Sequence, residues 1–212
     1  MIYVQVLGRM NFKMRKKLIL VASPPACGKT YVSELIAKSV EHIVYLDKDD
    51  LCDLLRAAFV VSGNEIDMDG EFYINNLRFA EYSAILDIAF SALRFEDYVI
   101  LNAPFGKEVR DAEYMQALKN RAEENDTQLL LIWVMASEKT CFERMKKRNS
   151  DRDLLKLQNF EQYVKQINFT PPYELEAAGA VDGFIVFDNS DDASIKRCLN
   201  ETLKMILEDD NA

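Results

Sequence analysis

The sequence is poor in the side chains that build most metal centres. It has one histidine, His42, and four cysteines, Cys27, Cys52, Cys141 and Cys198, with no Cys-x-x-Cys pair. A structural zinc site needs about four such ligands at short, paired spacings, so that class is excluded. Cysteines so far apart give no disulfide framework either, and reduced thiols in a cytosolic protein are the expectation. No stretch reaches the roughly 18 apolar residues that a membrane helix requires. Positive charge is not in excess: 26 Lys and Arg face 35 Asp and Glu, a formal net charge of -9. Such a chain lacks the broad positive field on which polynucleotide binding rests. Lys13, Arg15, Lys16 and Lys17 precede an apolar run and imitate a secretory leader. That run, Leu18 to Ala22, is five residues long, whereas a leader needs about seven to fifteen. Residues 1–14 therefore read as an extension ahead of the domain, or as sequence upstream of a later start.

What the chain does have is an ordinary globular composition, 49% hydrophobic and 29% charged over 212 residues. That is enough for one domain with a sizeable core. Its organising stretch is Ser23-Pro24-Pro25-Ala26-Cys27-Gly28-Lys29-Thr30. An apolar run precedes it, and Tyr31 to Val40 comes after it with apolar residues at Val32, Leu35, Ile36 and Val40. The reading is strand, tight loop, helix. The stretch ends as the phosphate-binding pattern G-x-x-x-x-G-K-[ST] ends. Gly28 lets the backbone approach an anion, and loop N–H groups with the helix N-terminus face it. Lys29 brings a mobile positive charge, and the Thr30 hydroxyl is a ligand suited to Mg²⁺. Ser23 stands where the pattern has its first glycine, and Pro24 and Pro25 stiffen the loop after it. Ser23 is therefore expected to avoid positive φ. Cys27 lies inside the loop, where a helix N-terminus can lower a thiol pKa. A small residue that fits the loop is the plainer reading.

Further apolar runs end in polar residues. Ile43 to Leu46 leads into Asp47-Lys48-Asp49-Asp50, with Asp49 or Asp50 expected to cap a helix from Leu51 to Val61. A long helix is predicted from about Phe72 to Phe95. Tyr98 to Leu101 ends at Asn102, and Glu108 to Glu124 is a predicted helix. Leu129 to Met135 is the longest apolar run. Ser137 is placed to cap a helix from Glu138 to Lys147, Gly183 to Phe187 is the last strand, and Ser190 or Asp191 starts a closing helix to about Leu207. Five apolar strands alternating with helices predict a parallel sheet covered on both faces. Ligands of such sheets bind at the carboxyl ends of the strands. The loop, Asp47, Asn102, Ser137, Asp188 and Asn189 should converge there.

Two further groups carry chemistry. Asp47, at the end of the second strand, is the candidate to orient or deprotonate an acceptor hydroxyl, or to hold Mg²⁺ through water. The alternative is a helix-capping acid. Arg144, Arg148 and Arg152 recur every four residues, one face of a continued helix. Arginines so placed stabilise the charge that spreads over phosphate oxygens during transfer; the alternative is a solvated face paired with Glu143, Asp151 and Asp153. Arg78 and Arg110 are candidates for holding substrate.

The loop, the acid after strand two and the R-x-x-x-R segment after strand four together resemble the small P-loop kinases. The chain looks like the branch that includes gluconate kinase, adenylylsulfate kinase, chloramphenicol phosphotransferase and the zeta toxins, over about Lys17 to Leu207. The resemblance implies a three-layer α/β/α P-loop NTPase fold with sheet order 2-3-1-4-5 and a helical lid at about 137–170, within a single domain spanning 15–212. It implies ATP and Mg²⁺ on Ser23 to Thr30, with Lys29 and Arg148 catalytic and Arg144 or Arg148 the lid arginine. It also places adenine near Asn189 and an acceptor hydroxyl at Asp47. The chain departs from the pattern at Ser23 and at Asn102, where many P-loop proteins carry an aspartate. An asparagine binds a metal-held water without charge, so Mg²⁺ would lean on Thr30, the nucleotide and Asp47. The expected activity is transfer of the γ-phosphate of ATP to a small hydroxyl compound. A nucleotide-binding regulator or toxin-like protein is the second reading, and a kinase of nucleic-acid ends the third.

Overall fold

A computed structural model of the chain describes residues 15–148, 157–166 and 168–208. Its centre is a five-stranded parallel sheet of order β2-β3-β1-β4-β5. The strands are β1 Lys16–Ala22, β2 Ile43–Asp47, β3 Tyr98–Asn102, β4 Thr127–Met135 and β5 Gly183–Asp188. The helices are α1 Lys29–Ala37, α2 Cys52–Ser62, α3 Arg78–Ala92, α4 Ala112–Glu124, α5 Glu138–Arg148, α6 Phe160–Gln166, α7 Glu174–Ala177 and α8 Asp192–Leu207. The expected extension, residues 1–14, and Arg152 lie outside the described residues, as do 149–156 and 167 of the expected lid.

The strands are apolar along their middles, where both faces are covered, with polar residues at their ends. Successive side chains alternate between the faces. Leu18, Leu20, Leu101, Leu131 and Trp133 enter one core with Tyr82, Ile85 and Leu86 of α3 and Met115 and Leu118 of α4. Ile19, Val21, Ile100, Ile132 and Val134 enter the other with Val32 and Ile36 of α1, Cys141 of α5 and Cys198 and Ile206 of α8. Each fully buried side chain of this size contributes about 1.5–3 kcal/mol. Lys17, at the amino end of β1, closes the far end of α8: its Nζ donates to the carbonyls of Ile206 and Glu208, each at 2.8 Å. A cation there offsets the negative end of the helix dipole.

Three helix starts differ from the sequence expectation. The acid after β2 that caps is Asp47, not Asp49 or Asp50. The strand ends at Asp47, its Oδ1 accepts from the Asp49 N–H at 2.9 Å, and a 3₁₀ turn, Lys48–Leu51, runs directly into α2. The long helix opens with a π turn, Tyr73–Leu77, before α3. This wider turn sets the Tyr73 hydroxyl against Glu81, eight residues on. The third, Glu108 to Glu124, is divided: a 3₁₀ turn, Glu108–Arg110, stops at Asp111. The extended backbone there lets Asp111 accept from the N–H groups of Glu113 and Tyr114, both at 3.0 Å, as the cap of α4. Ser137 and Asp191 cap α5 and α8 as expected, accepting from the N–H groups of Thr140 and Ser194.

Candidate functional site

The loop from Ser23 to Gly28 lies between β1 and α1, at the carboxyl edge of the sheet. Ser23 is not among the described residues with positive φ; the left-handed backbone falls on Ala26, φ 63°, and Gly28, φ 86°. Prolines at 24 and 25 cannot take that conformation, so the turn is made one residue later, on alanine. Gly28 is the N-cap of α1, and no side chain caps that helix among the described residues. Its first turn also holds no acid. An open, uncapped helix start behind a tight loop suits an anion.

Gly28 is also required by the side chains behind it. A Cβ there would fall 2.2 Å from Asn189 Nδ2 and 3.2 Å from Arg144 Nη1. Both side chains brace the loop through one carbonyl: Asn189 Nδ2 donates to Cys27 O at 2.7 Å and Arg144 Nη1 donates to it at 3.0 Å. Arg144 Nη2 donates to Asn189 O at 2.9 Å. Asn189 is buried, and its Oδ1 has no hydrogen-bond partner among the described residues. Arg144 thus faces inward onto loop backbone, while Arg148, the last residue of α5, is exposed. The two do not form the uniform face that their spacing suggested, since the carbonyls of Cys27 and Asn189 meet Arg144.

The second half of the site is an amide hub. Asn102, buried at the end of β3, pairs in register with Asp47 of β2 and Val21 of β1. Its Oδ1 accepts from Lys29 Nζ and from Ser33 Oγ at 3.2 Å. Its Nδ2 faces Asp47 Oδ2 and lies 3.2 Å from both Thr30 Oγ1 and Tyr45 OH. The Tyr45 hydroxyl also donates to Asp47 Oδ2 at 3.0 Å. One neutral side chain therefore holds the loop's lysine and the strand-two carboxylate together. An aspartate at 102 would instead set two carboxylates side by side, which is costly. Burial pushes Lys29 down from 10.5 to about 8, opposed by the charges of Asp47 and Asp49.

Arg78 and Arg110 each have protein partners. Arg78 makes a two-pronged ion pair with Glu108, Nε to Oε1 at 2.9 Å and Nη2 to Oε2 at 2.8 Å, and lies over the Tyr82 ring. Arg110 donates to Thr170 O, approaches Glu174 Oε1 at 3.5 Å and lies over Trp133. It therefore ties the strand-three loop to the segment after α6.

A family model described as AAA domain matches residues 18–170. The chain belongs to that family. No curated protein matches it. Among solved structures, a provisionally assigned kinase from Chloroflexus aurantiacus shares the fold at a TM-score of 0.58 and 19% identity, covering 91% of this chain and 98% of its own. Kti12 from Chaetomium thermophilum, bound to ADP-AlF3, gives 0.54 and 17%, covering 90% and 100%. Shikimate kinase from Acinetobacter baumannii, bound to shikimate, gives 0.53 and 16%, covering 93% and 96%. At these identities the likeness is one of fold: a P-loop kinase-like sheet of order 2-3-1-4-5 with helices on both sides.

Sequence reasoning missed the partners that hold the site. Tyr45 stands two residues before Asp47, so a strand places both on one face; that signal was available. The buried pair of Lys48 and Glu81, at 2.8 Å with the Tyr73 hydroxyl on the other Glu81 oxygen, had none. Its residues are 33 apart in sequence. No helix among the described residues is long and apolar enough to cross a membrane.

Proposed function

We propose that the chain transfers the γ-phosphate of ATP to a hydroxyl of a small molecule. The observation that carries this reading is the hub: Asn102 holds Lys29, the first residue of α1, and Asp47, the last of β2, one on each side of its amide. A cation for phosphate oxygens then stands beside a carboxylate for the attacking hydroxyl. Lys29 tracks the outer phosphates and neutralises their charge. Asp47 orients the acceptor hydroxyl and takes its proton. Arg148, exposed at the end of α5, closes over the phosphates from a lid of about 137–170, and Arg144 and Asn189 hold the loop in shape. Arg110 meets the acceptor where the strand-three loop touches the segment after α6. Arg78 acts on it indirectly, through Glu108.

Magnesium fits this donor set. Thr30 Oγ1 and Asp47 are hard oxygen ligands joined through Asn102. The described residues include no group of three His, Cys, Asp or Glu placed to hold a metal. A site with few protein ligands, completed by nucleotide phosphates and water, is what Mg²⁺ prefers. When bound, it would neutralise the negative charge that builds on phosphate during transfer.

The deciding experiment is ATP consumption with Mg²⁺ against a panel of small hydroxyl compounds, with Asp47→Asn in parallel. Turnover raised by one compound and lost at least ~100-fold in the variant, with ATP still bound, establishes the kinase. Transfer at the unaltered rate in Asp47→Asn refutes the mechanism. One observation favours a second reading, a nucleotide-binding regulator: both Asp47 oxygens already accept hydrogen bonds, from Asp49 N–H and Tyr45 OH. ATP binding with no stimulated turnover by any compound would establish that reading instead.

A further inference from the structure

Cys27 and Cys141 lie far apart in sequence, yet their sulfurs are 3.6 Å apart and both residues are fully buried. Cys27 belongs to the phosphate loop and Cys141 to α5, the helix that carries Arg144 and Arg148. The contact joins the loop to that helix. Cys27 is also the residue whose carbonyl receives Arg144 and Asn189, so any displacement of it shifts the brace behind Gly28.

We infer that Cys27 and Cys141 form a peroxide-sensitive dithiol site whose disulfide distorts the phosphate loop and closes it to nucleotide. The regulatory half rests on the nucleotide-binding reading of the loop; the disulfide itself does not. The sulfurs must approach from 3.6 Å to about 2.05 Å. Loop and α5 share that movement, and the dense packing around them leaves no slack to absorb it. The pair is polarised for the reaction. Either thiol can donate to the other across that contact; the contact shifts Cys141 down and Cys27 up, and the Arg144 charge favours a thiolate at the pair. Cys141 is therefore the nucleophile.

The oxidant is a hydroperoxide, and its access to the two buried sulfurs requires the loop that carries Cys27 to open. The Cys141 thiolate attacks one peroxide oxygen. The O–O bond breaks, an S–OH group forms, and hydroxide leaves to become water with the proton that Cys141 gave up. The Cys27 sulfur then attacks the S–OH sulfur. An S–S bond forms, the S–O bond breaks, and the hydroxyl leaves as water with the Cys27 proton. Two thiols lose two electrons in all, and one peroxide gains them. A dithiol reductant reverses the step by exchange.

The test uses the full chain and hydrogen peroxide. Peptide mapping by mass spectrometry reads which cysteines join, and titration with a fluorescent ATP analogue reads affinity before oxidation, after it and after dithiothreitol. The expected result is a Cys27–Cys141 peptide two hydrogens lighter. Affinity falls at least tenfold and returns on reduction, and bound ATP slows the oxidation. Cys141→Ala should bind the analogue normally and ignore peroxide. If that variant does not fold, the map and the dithiothreitol reversal on the unaltered chain decide the matter. A different cysteine pair, no pair at all, or a linked protein that binds as tightly as the reduced one overturns the inference. A reduced chain that binds no nucleotide defeats the functional reading instead, and the peptide map still decides the disulfide.

Discussion

Lys29 gives the most direct check on the proposed site, because a phosphate bound there would be coupled to its proton. Burial lowers its pKa from 10.5 to about 8. A bound polyphosphate replaces the lost hydration with negative charge, so the bound state holds Lys29 protonated throughout the neutral and mildly alkaline range. In the free protein about nine-tenths of Lys29 is charged at pH 7 and about one-tenth at pH 9. Affinity for ATP or ADP should therefore fall about tenfold between pH 7 and pH 9, about 1.4 kcal/mol, and the complex should take up close to one proton at pH 9 and almost none at pH 7. Calorimetric titration in two buffers of different ionisation enthalpy reads both quantities. Lys29→Met should bind weakly and lose the pH slope. The sign for stability is opposite. The fold disfavours the charged lysine, so it is destabilised in full below pH 8, by about 3 kcal/mol at roughly 1.4 kcal/mol per pH unit between 8 and 10.5. That loss is recovered as pH rises from 8 to 10.5. Flat affinity from pH 7 to 9 with no proton uptake would refute the placement of Lys29 at the phosphate.

Gly28→Ala meets Asn189 Nδ2 at 2.2 Å and requires φ near 86°, so nucleotide binding should be abolished and stability lowered by about 2 kcal/mol or more, read by titration and by thermal unfolding. Ala26→Gly relieves the left-handed backbone at φ 63° and should stabilise by roughly 0.5–1 kcal/mol after the added entropy of the unfolded glycine; a loss of stability would show that the loop does not hold that turn in solution. Glu81→Ala leaves buried Lys48 only Asp49, at 3.4 Å, and takes the acceptor from the Tyr73 hydroxyl, and should cost about 3 kcal/mol in urea unfolding. The exposed pair of Glu34 and Lys38, broken by Glu34→Ala, should cost about 0.5 kcal/mol or less; equal losses would remove the distinction between the two pairs.

The fold and the phosphate loop were legible in the sequence because their signals are local. Each strand is a continuous apolar run, and each helix a periodic one. A run such as Leu129 to Met135, apolar at every position and too short for an average helix, reads as a strand covered on both faces, and it is one. The Gly-Lys-Thr ending identifies itself through backbone geometry that involves only neighbouring residues. Helix starts were less legible. The choice among Asp47, Asp49 and Asp50 as cap depends on where the strand stops, and the pairing of Asp47 with Asn102 sets that point.

Tertiary structure alone decided what each charged residue faces. Spacing put Arg144 and Arg148 on one helix face, but Arg144 donates to the loop carbonyl of Cys27 and to the carbonyl of Asn189 after β5. Arg78 looked available until the fold brought Glu108 across from the strand-three loop. Asn102 looked like a loss of charge at the end of β3. In the folded chain Asp47 lies beside it, and a neutral amide is what lets Lys29 and that carboxylate share one point. Propensity and periodicity act over a few residues and are written in order along the chain. The balance of charges depends on which distant segments the sheet order makes neighbours, and the sequence carries no local record of it.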